Sequence, residues 1–148
     1  MAVKIAEKPK PKSNLVGCTP LTFIYKIMLG KDKEIVYVGC TNNPDKRFTS
    51  HRSELINGKH SNKALQKKYT FADDQELTFE IIIGIPSNST TLKFFLECLA
   101  ISYYGDRIVN RPHIQIGRMK CNLIPCDSAL AKILLEDVAE FFDVPLNL

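Results

Sequence analysis

The chain has 148 residues, of which 45% are hydrophobic and 24% charged, and its net charge is +4. This length and composition are typical of one globular domain with a buried core. The sequence has neither an apolar run of about 18 residues nor a signal-peptide pattern, which argues against a membrane protein and predicts a cytoplasmic location. The five cysteines are odd in number and irregularly spaced, which favours reduced thiols over a disulfide framework.

The charges are unevenly distributed along the chain. Residues 46–68 contain seven lysines or arginines against Glu54 alone, whereas residues 127–148 contain five carboxylates against Lys132. A basic face favours a polyanionic partner, and nucleic acid is the usual one. A lysine-rich helix face exposed to solvent explains the same pattern equally well, so charge alone leaves both interpretations open.

The chain begins with a segment rich in lysine and proline, and residues 1–16 are predicted to form a disordered basic arm. Two β-rich runs follow, "TFIYKIML" and "EIVYVGC", and the "GKDKE" between them predicts a hairpin. Alternation along each strand predicts two sets of residues that share a face: Phe23, Tyr25 and Ile27, and Ile35, Tyr37 and Gly39. Two tyrosines on neighbouring strands would therefore point the same way.

The next segments predict two helices and a third strand. Asn43 as N-cap and Pro44 at the first position begin a helix that Gly58 ends. Arg47 and His51 lie one turn apart on one face of it, while Phe48, Leu55 and Ile56 are predicted to form its buried face. "SNKALQKKYTFA" predicts a second helix capped by Ser61 or Asn62, and "LTFEIIIGIP" predicts the third strand.

Residues 91–104 predict a central helix that is apolar on most of its circumference and is ended by Gly105. Glu97 is its only carboxylate. A lone buried carboxylate costs several kcal/mol unless it is paired or bound to a metal. Lys93, one turn earlier, offers an ordinary ion pair as the alternative to a metal.

The C-terminal part is predicted to be a basic loop, with His113, Arg118 and Lys120, followed by an amphipathic helix. Ser128 would cap this helix and Pro145 would end it. The predicted fold class is α+β, with a small three-stranded antiparallel sheet flanked by helices. The predicted organisation is an arm (1–16), a catalytic-type domain (17–112), and a loop plus helix (113–148) that packs on the core or on a partner.

With its elements in this order, the chain resembles the GIY-YIG nucleases over about residues 20–111. The two motifs that name the family would be Phe23-Ile24-Tyr25 and Tyr37-Val38-Gly39. Gly58 to Gln66, "GKHSNKALQ", is similar to the family's linking segment. The family also has an arginine and often a nearby histidine on its first helix, then a metal-binding glutamate and an asparagine. The residues at those places are Arg47, His51, Glu97 and Asn110.

The resemblance implies a metal-dependent endonuclease that hydrolyses phosphodiester bonds in DNA. Tyr25 or Tyr37 would be the general base, with Tyr25 favoured and Tyr37 orienting water or phosphate. Arg47 would bind phosphate oxygens, and Glu97 would hold Mg²⁺ or Mn²⁺, because a hard cation accepts a single protein carboxylate and keeps waters. His51 and Asn110 complete the implied catalytic set. The predicted nucleic-acid-binding residues are Arg47, Arg52, Lys59, His60, Asn62, Lys63 and Lys67.

One residue departs from the family pattern, because Phe23 occupies the place of the first motif's glycine. A bulky side chain there narrows the site or fills the core. It favours the alternative function, a nuclease-derived protein that binds nucleic acid or regulates without cutting. The complete set of reactive groups favours the enzyme. With only a short C-terminal segment for recognition, DNA structure, a homodimer formed through the C-terminal helix, or a protein partner would supply specificity.

Overall fold

The computed structural model describes residues 21–110, 113–116, 119–122 and 126–148, with side chains in the first and last of these ranges. The predicted arm at 1–16 lies outside them. The predicted three-stranded antiparallel sheet is confirmed: β1 (Thr22–Leu29) lies between β2 (Glu34–Thr41) and β3 (Leu77–Ile85). The predicted α+β class is therefore also confirmed.

Helices flank this sheet on both faces. They are α1 (Pro44–Ile56), α2 (Lys63–Thr70), α3 (Thr90–Tyr104), which runs into a 3₁₀ turn (Gly105–Arg107), and α4 (Ser128–Phe142). Tyr25 and Leu55 belong to a cluster on the face of α1 and α2, and Ile24 and Leu96 to one on the face of α3 and α4. The central strand β1 thus contributes its alternate side chains to two separate cores.

The helix starts follow their capping residues. The Asn43 side chain accepts a hydrogen bond from the Lys46 backbone N–H at 3.2 Å, as predicted for α1. Asn62, and not Ser61, caps α2 by accepting from the Leu65 backbone N–H at 3.0 Å. The cap predicted for α4 was wrong by one residue, because Asp127 accepts from the first turn. Ser128 instead donates its hydroxyl to the Tyr103 carbonyl at 2.8 Å.

Three further details of the sequence prediction were wrong. The pairing of β1 with β2 shifts between Ile27 and Met28, which leaves Val36 unpaired. This bulge reverses the alternation, so Ile35 packs on the α3 face and not beside Tyr37. Ile56 at the end of α1 is 63% exposed and not buried, because the helix turns this last residue away from the sheet.

The third error concerns the basic segment after residue 112. It contains two short paired strands, β4 (His113–Ile116) and β5 (Met119–Asn122), where a loop was predicted. Alternating isoleucines at 114 and 116, followed by Gly117, are a hairpin signal that the charged residues obscured.

The C-terminal helix packs on the chain's own core. Ala131, Leu135 and Ala139 of α4 are buried in the cluster that also contains α3. Its outer face leaves Leu130, Ile133 and Phe141 exposed. None of the helices in residues 21–110 and 126–148 is both long and apolar enough to cross a membrane.

Candidate active site

The Tyr25 hydroxyl is the centre of the site. Its oxygen lies 2.6 Å from His51 Nε2 and accepts from Arg47 Nε at 3.3 Å. Arg47 and His51 approach from α1, as their spacing predicted, and Tyr25 approaches from the middle strand of the sheet. Tyr25 is 0% exposed, so these polar contacts form inside the protein.

Gly39 of the second motif makes room for this tyrosine. Gly39 and Tyr25 are directly opposite each other on β2 and β1. A Cβ atom on Gly39 would lie 2.6 Å from Tyr25 Cζ, far inside an ordinary carbon–carbon contact of about 3.5 Å. Position 39 therefore has to be a glycine, because any larger residue would overlap the tyrosine ring.

Three aromatic rings pack around Tyr25, those of Tyr37, Phe48 and His51. The centroid of the Tyr37 ring lies 6.4 Å from that of Tyr25 and 5.4 Å from that of His51. Phe48 packs edge-on to Tyr25 at 5.2 Å. The prediction that both tyrosines share a face is confirmed, and Tyr37 is the partly exposed one of the two.

A second histidine lies behind the first. His51 Nδ1 is 2.7 Å from His60 Nε2, and His60 Nδ1 accepts from the Asn62 backbone N–H at 3.0 Å. His60 is 1% exposed, so the structure places its side chain inside the site and not on the surface where we predicted a DNA contact.

The linking segment holds this second histidine in place. Gly58 has a positive φ of 70°, which lets the chain turn after α1. The Gln66 side chain accepts from the His60 backbone N–H at 3.0 Å and donates to the Leu55 carbonyl at 3.1 Å. The turn at Gly58 and the hydrogen bonds of Asn62 and Gln66 therefore position His60.

Burial and nearby charges set the protonation of these groups. Burial raises the pKa of Tyr25 and of Tyr37, and the negative charge of Glu97 raises the pKa of Tyr37 further. Arg47 acts in the opposite direction on both tyrosines. Burial, with the positive charge of Arg47, lowers the pKa of His51 to about 3. His51 is therefore neutral at physiological pH.

Glu97 lies on α3, on the face of the sheet opposite Tyr25, and is close enough to β2 for its charge to act on Tyr37. The Cys40 thiol on β2 donates to Glu97 Oε2 at 3.2 Å, and burial followed by the Glu97 charge raises the pKa of this thiol to about 12. The sequence prediction missed Cys40, since a lone thiol after the second motif carries no distinctive signal.

Glu97 offers one partly exposed carboxylate to a cation. Within residues 21–110 and 126–148, no group of three or more histidine, cysteine, aspartate or glutamate side chains could hold a metal ion. Mg²⁺ is commonly bound through one or two carboxylates, with waters and substrate phosphates as its other ligands. A single partly exposed carboxylate therefore fits an ion that binds together with the substrate.

Asn110 braces β2 and does not reach the Tyr25 hydroxyl. Its side-chain carbonyl accepts from the Val38 backbone N–H at 2.9 Å, and its amide donates to the Val38 carbonyl. The Val109 backbone N–H donates to the Val36 carbonyl at 2.9 Å. Residues 109–110 thus hold the free edge of the strand that carries Tyr37 and Gly39.

Most of the predicted DNA-contacting side chains lie on the surface around α1 and α2. The exposed ones are Arg52, Lys59, Lys63 and Lys67. Arg52 lies over the Phe79 ring, 5.4 Å from its centroid, and Asn62 is occupied as the α2 cap. These positions form a basic surface on α1, on α2 and on the segment between them.

Phe23 fills space over β3. It is 6% exposed and directly opposite Gly84, where a Cβ atom would lie 2.9 Å from two atoms of its ring. The glycine that is missing from β1 therefore has a counterpart on β3, which the sequence did not reveal. This packing removes the reason to treat Phe23 as an obstruction of the site.

Comparison with known families agrees with this geometry. Residues 22–97 match the family model described as the GIY-YIG catalytic domain, which is about half of the 148-residue chain. The chain belongs to the GIY-YIG family of nucleases. Comparisons with curated proteins and with solved structures give no match.

Proposed function

We propose that the protein is a metal-dependent DNA endonuclease that hydrolyses phosphodiester bonds. The observation that carries the proposal is the convergence of Arg47 and His51 on the oxygen of Tyr25, within a chain that belongs to this nuclease family. Arg47 donates an N–H to this oxygen and favours the phenolate that a general base needs, in opposition to the burial that raises the pKa of Tyr25. The alternative, a binding protein that no longer cuts, loses the argument from Phe23, because this side chain packs over Gly84.

In this proposal Tyr25 is the general base and Tyr37 orients the attacking water or the phosphate. Tyr25 is 0% exposed, so its oxygen must become accessible when DNA binds. Arg47 is only partly buried and donates to that oxygen. Movement of Arg47 onto a phosphate oxygen would open the tyrosine and place a permanent charge where the transition state needs one.

Glu97 would hold the divalent ion, Mg²⁺ or Mn²⁺. The ion, when bound, supplies charge neutralisation at the phosphate and help for the leaving oxygen. Asn110 would act indirectly, by fixing the backbone of β2 through Val38. In this proposal, Tyr25 is the buried base, Arg47 moves onto the phosphate, and Glu97 binds the metal from the opposite face of the sheet.

The exposed basic residues around α1 and α2 would bind the DNA backbone. Such contacts position DNA and weaken with salt, but they read little sequence. Cleavage specificity would then depend on the structure of the DNA or on a further partner. A second copy or another protein on the outer face of α4 stays a prediction, as does the cytoplasmic location.

The test is cleavage of supercoiled plasmid and branched DNA with Mg²⁺, with Mn²⁺ and with EDTA. Glu97→Ala should lower the rate of metal-dependent cleavage by about three decades or more. Glu136→Ala is the matched control, because it removes an exposed helix carboxylate on α4. Equal cutting by Glu97→Ala and the control would refute the metal role. Absence of cutting by the wild type on both substrates would refute the nuclease function.

A further inference from the structure

The hydrogen bonds behind Tyr25 form one chain whose direction is fixed at its far end. The Asn62 backbone N–H can only donate, and it donates to His60 Nδ1 at 3.0 Å. A neutral histidine has one donor nitrogen and one acceptor nitrogen. His60 Nδ1 is therefore the acceptor, and the proton of His60 is on Nε2.

The same reasoning carries along the chain to the tyrosine. His60 Nε2–H faces His51 Nδ1 at 2.7 Å, so His51 Nδ1 is an acceptor and His51 holds its proton on Nε2. That Nε2–H then donates to the Tyr25 oxygen at 2.6 Å. The Glu54 carboxylate, 3.9 Å from His60 Nε2, supports the first assignment because it also favours a proton on that nitrogen.

We propose that His60 and the Asn62 backbone N–H are positioning elements that make His51 a hydrogen-bond donor to Tyr25. His51 then stabilises the phenolate. It does not remove the tyrosine proton, because neither of its ring nitrogens is free to accept one, and that proton passes to water when the site opens. The catalytic consequence rests on the proposed function, in which Tyr25 is the base, whereas the assignment of the tautomers does not.

The surroundings of Tyr25 agree with this direction. The titratable or charged groups that face it are Tyr37 and Cys40 from β2, and Arg47 and His51 from α1. Both groups on α1 present N–H donors to its oxygen. A histidine that accepted the tyrosine proton would instead become a cation beside Arg47, buried to 1% exposure, which is strongly unfavourable.

The direct test is the protonation of the two imidazoles, measured by ¹⁵N NMR of the full-length protein labelled at histidine, near neutral pH. The expected result is the Nε2–H tautomer for both His51 and His60. A proton on Nδ1 of either ring would overturn the proposal. This measurement needs no activity, so it separates a failure of the hydrogen-bond direction from a failure of the nuclease function.

A pair of substitutions at His60 tests the positioning role. His60→Gln keeps an N–H donor that reaches the Nε2 position, whereas His60→Leu has a similar size and no donor. In His60→Leu, His51 should no longer be held in the Nε2–H form, and the rising limb of the pH–rate profile should move up by about one pH unit or more. His60→Gln should retain the wild-type tautomer and profile. Equal effects of both variants on the His51 tautomer would overturn the proposal.

A second pair tests the origin of the direction. Asn62→Pro and Asn62→Ala both remove the side chain that caps α2, but only proline removes the backbone N–H. The Asn62 φ of −80° is close to the value that proline adopts. Loss of the fixed tautomers in Asn62→Pro and their retention in Asn62→Ala is the expected result. The reverse outcome, or fixed tautomers in both variants, would contradict the proposal.

Discussion

Replacing Gly39 with alanine should damage the protein through Tyr25. The added methyl group would lie 2.6 Å from Cζ and 3.0 Å from Cε1 of that ring, an overlap of roughly 1 Å. Overpacking of this kind costs about 1–3 kcal/mol. A glycine-to-alanine change without a clash stabilises by about 0.4–1 kcal/mol, so the sign itself tests the explanation.

The expected result is a melting temperature lower by about 2–12 °C, since each kcal/mol shifts it by about 2–4 °C for a chain of this size. Activity should fall by about 100-fold, because a displacement of about 1 Å at the reacting atoms has that effect. Thermal denaturation and plasmid cleavage measure the two quantities.

A double-mutant comparison shows whether the tyrosine ring causes the effect. In a Tyr25→Leu background the clash is absent, so Gly39→Ala should cost nothing or stabilise slightly. Its cost in the two backgrounds should therefore differ by about 1–3 kcal/mol. The same cost with and without the Tyr25 ring would refute the reasoning.

Three further predictions follow from the same structure. The folded pKa of His51 is about 3, below its unfolded value of 6.5. The contribution of neutral His51 to the free energy of unfolding is therefore fully present above pH 6.5. It is lost as pH falls toward 3, and it amounts to several kcal/mol in total, to order of magnitude. His51→Asn should flatten this decline in melting temperature against pH, and an unchanged slope would contradict the assignment. Asn110→Ala should cost about 1–3 kcal/mol in denaturant unfolding, because it leaves buried Val38 backbone groups unpaired; an unchanged midpoint would exclude the brace. Lys63→Ala should lower the slope of log affinity for DNA against log salt by about 1. Lys132→Ala on α4 should not, and equal slopes for both variants would count against the α2 surface.

Most of the fold and the order of the site residues could be predicted from the sequence, because both depend on local signals. Asn43 and Asn62 mark helix starts, and alternation around Tyr25 correctly predicted one face of β1. Where alternation failed, at Ile35, the cause was a bulge. An unpaired residue in a strand depends on pairing with its neighbour, so the strand's own pattern does not reveal it.

The burial of the two histidines in the site could not be predicted from the sequence. His51 and His60 are polar residues, and periodicity assigns such residues to a solvent-exposed face. They are buried because each satisfies the other, and a pairing across a turn cannot be read from either residue alone. The packing of Phe23 on Gly84 is similar, since 61 positions separate two residues that the sheet places side by side.

The contacts of Val109 and Asn110 with β2 have a consequence for the behaviour of the chain in solution. β2 is an edge strand of the three-stranded sheet. An edge strand with unpaired backbone groups can pair with a strand of another molecule. Hydrogen bonds to Val36 and Val38 occupy that edge beside the second motif. Residues 109–110 therefore also protect β2 from edge-to-edge aggregation. A fragment cut after α3 would lose this cover and should self-associate.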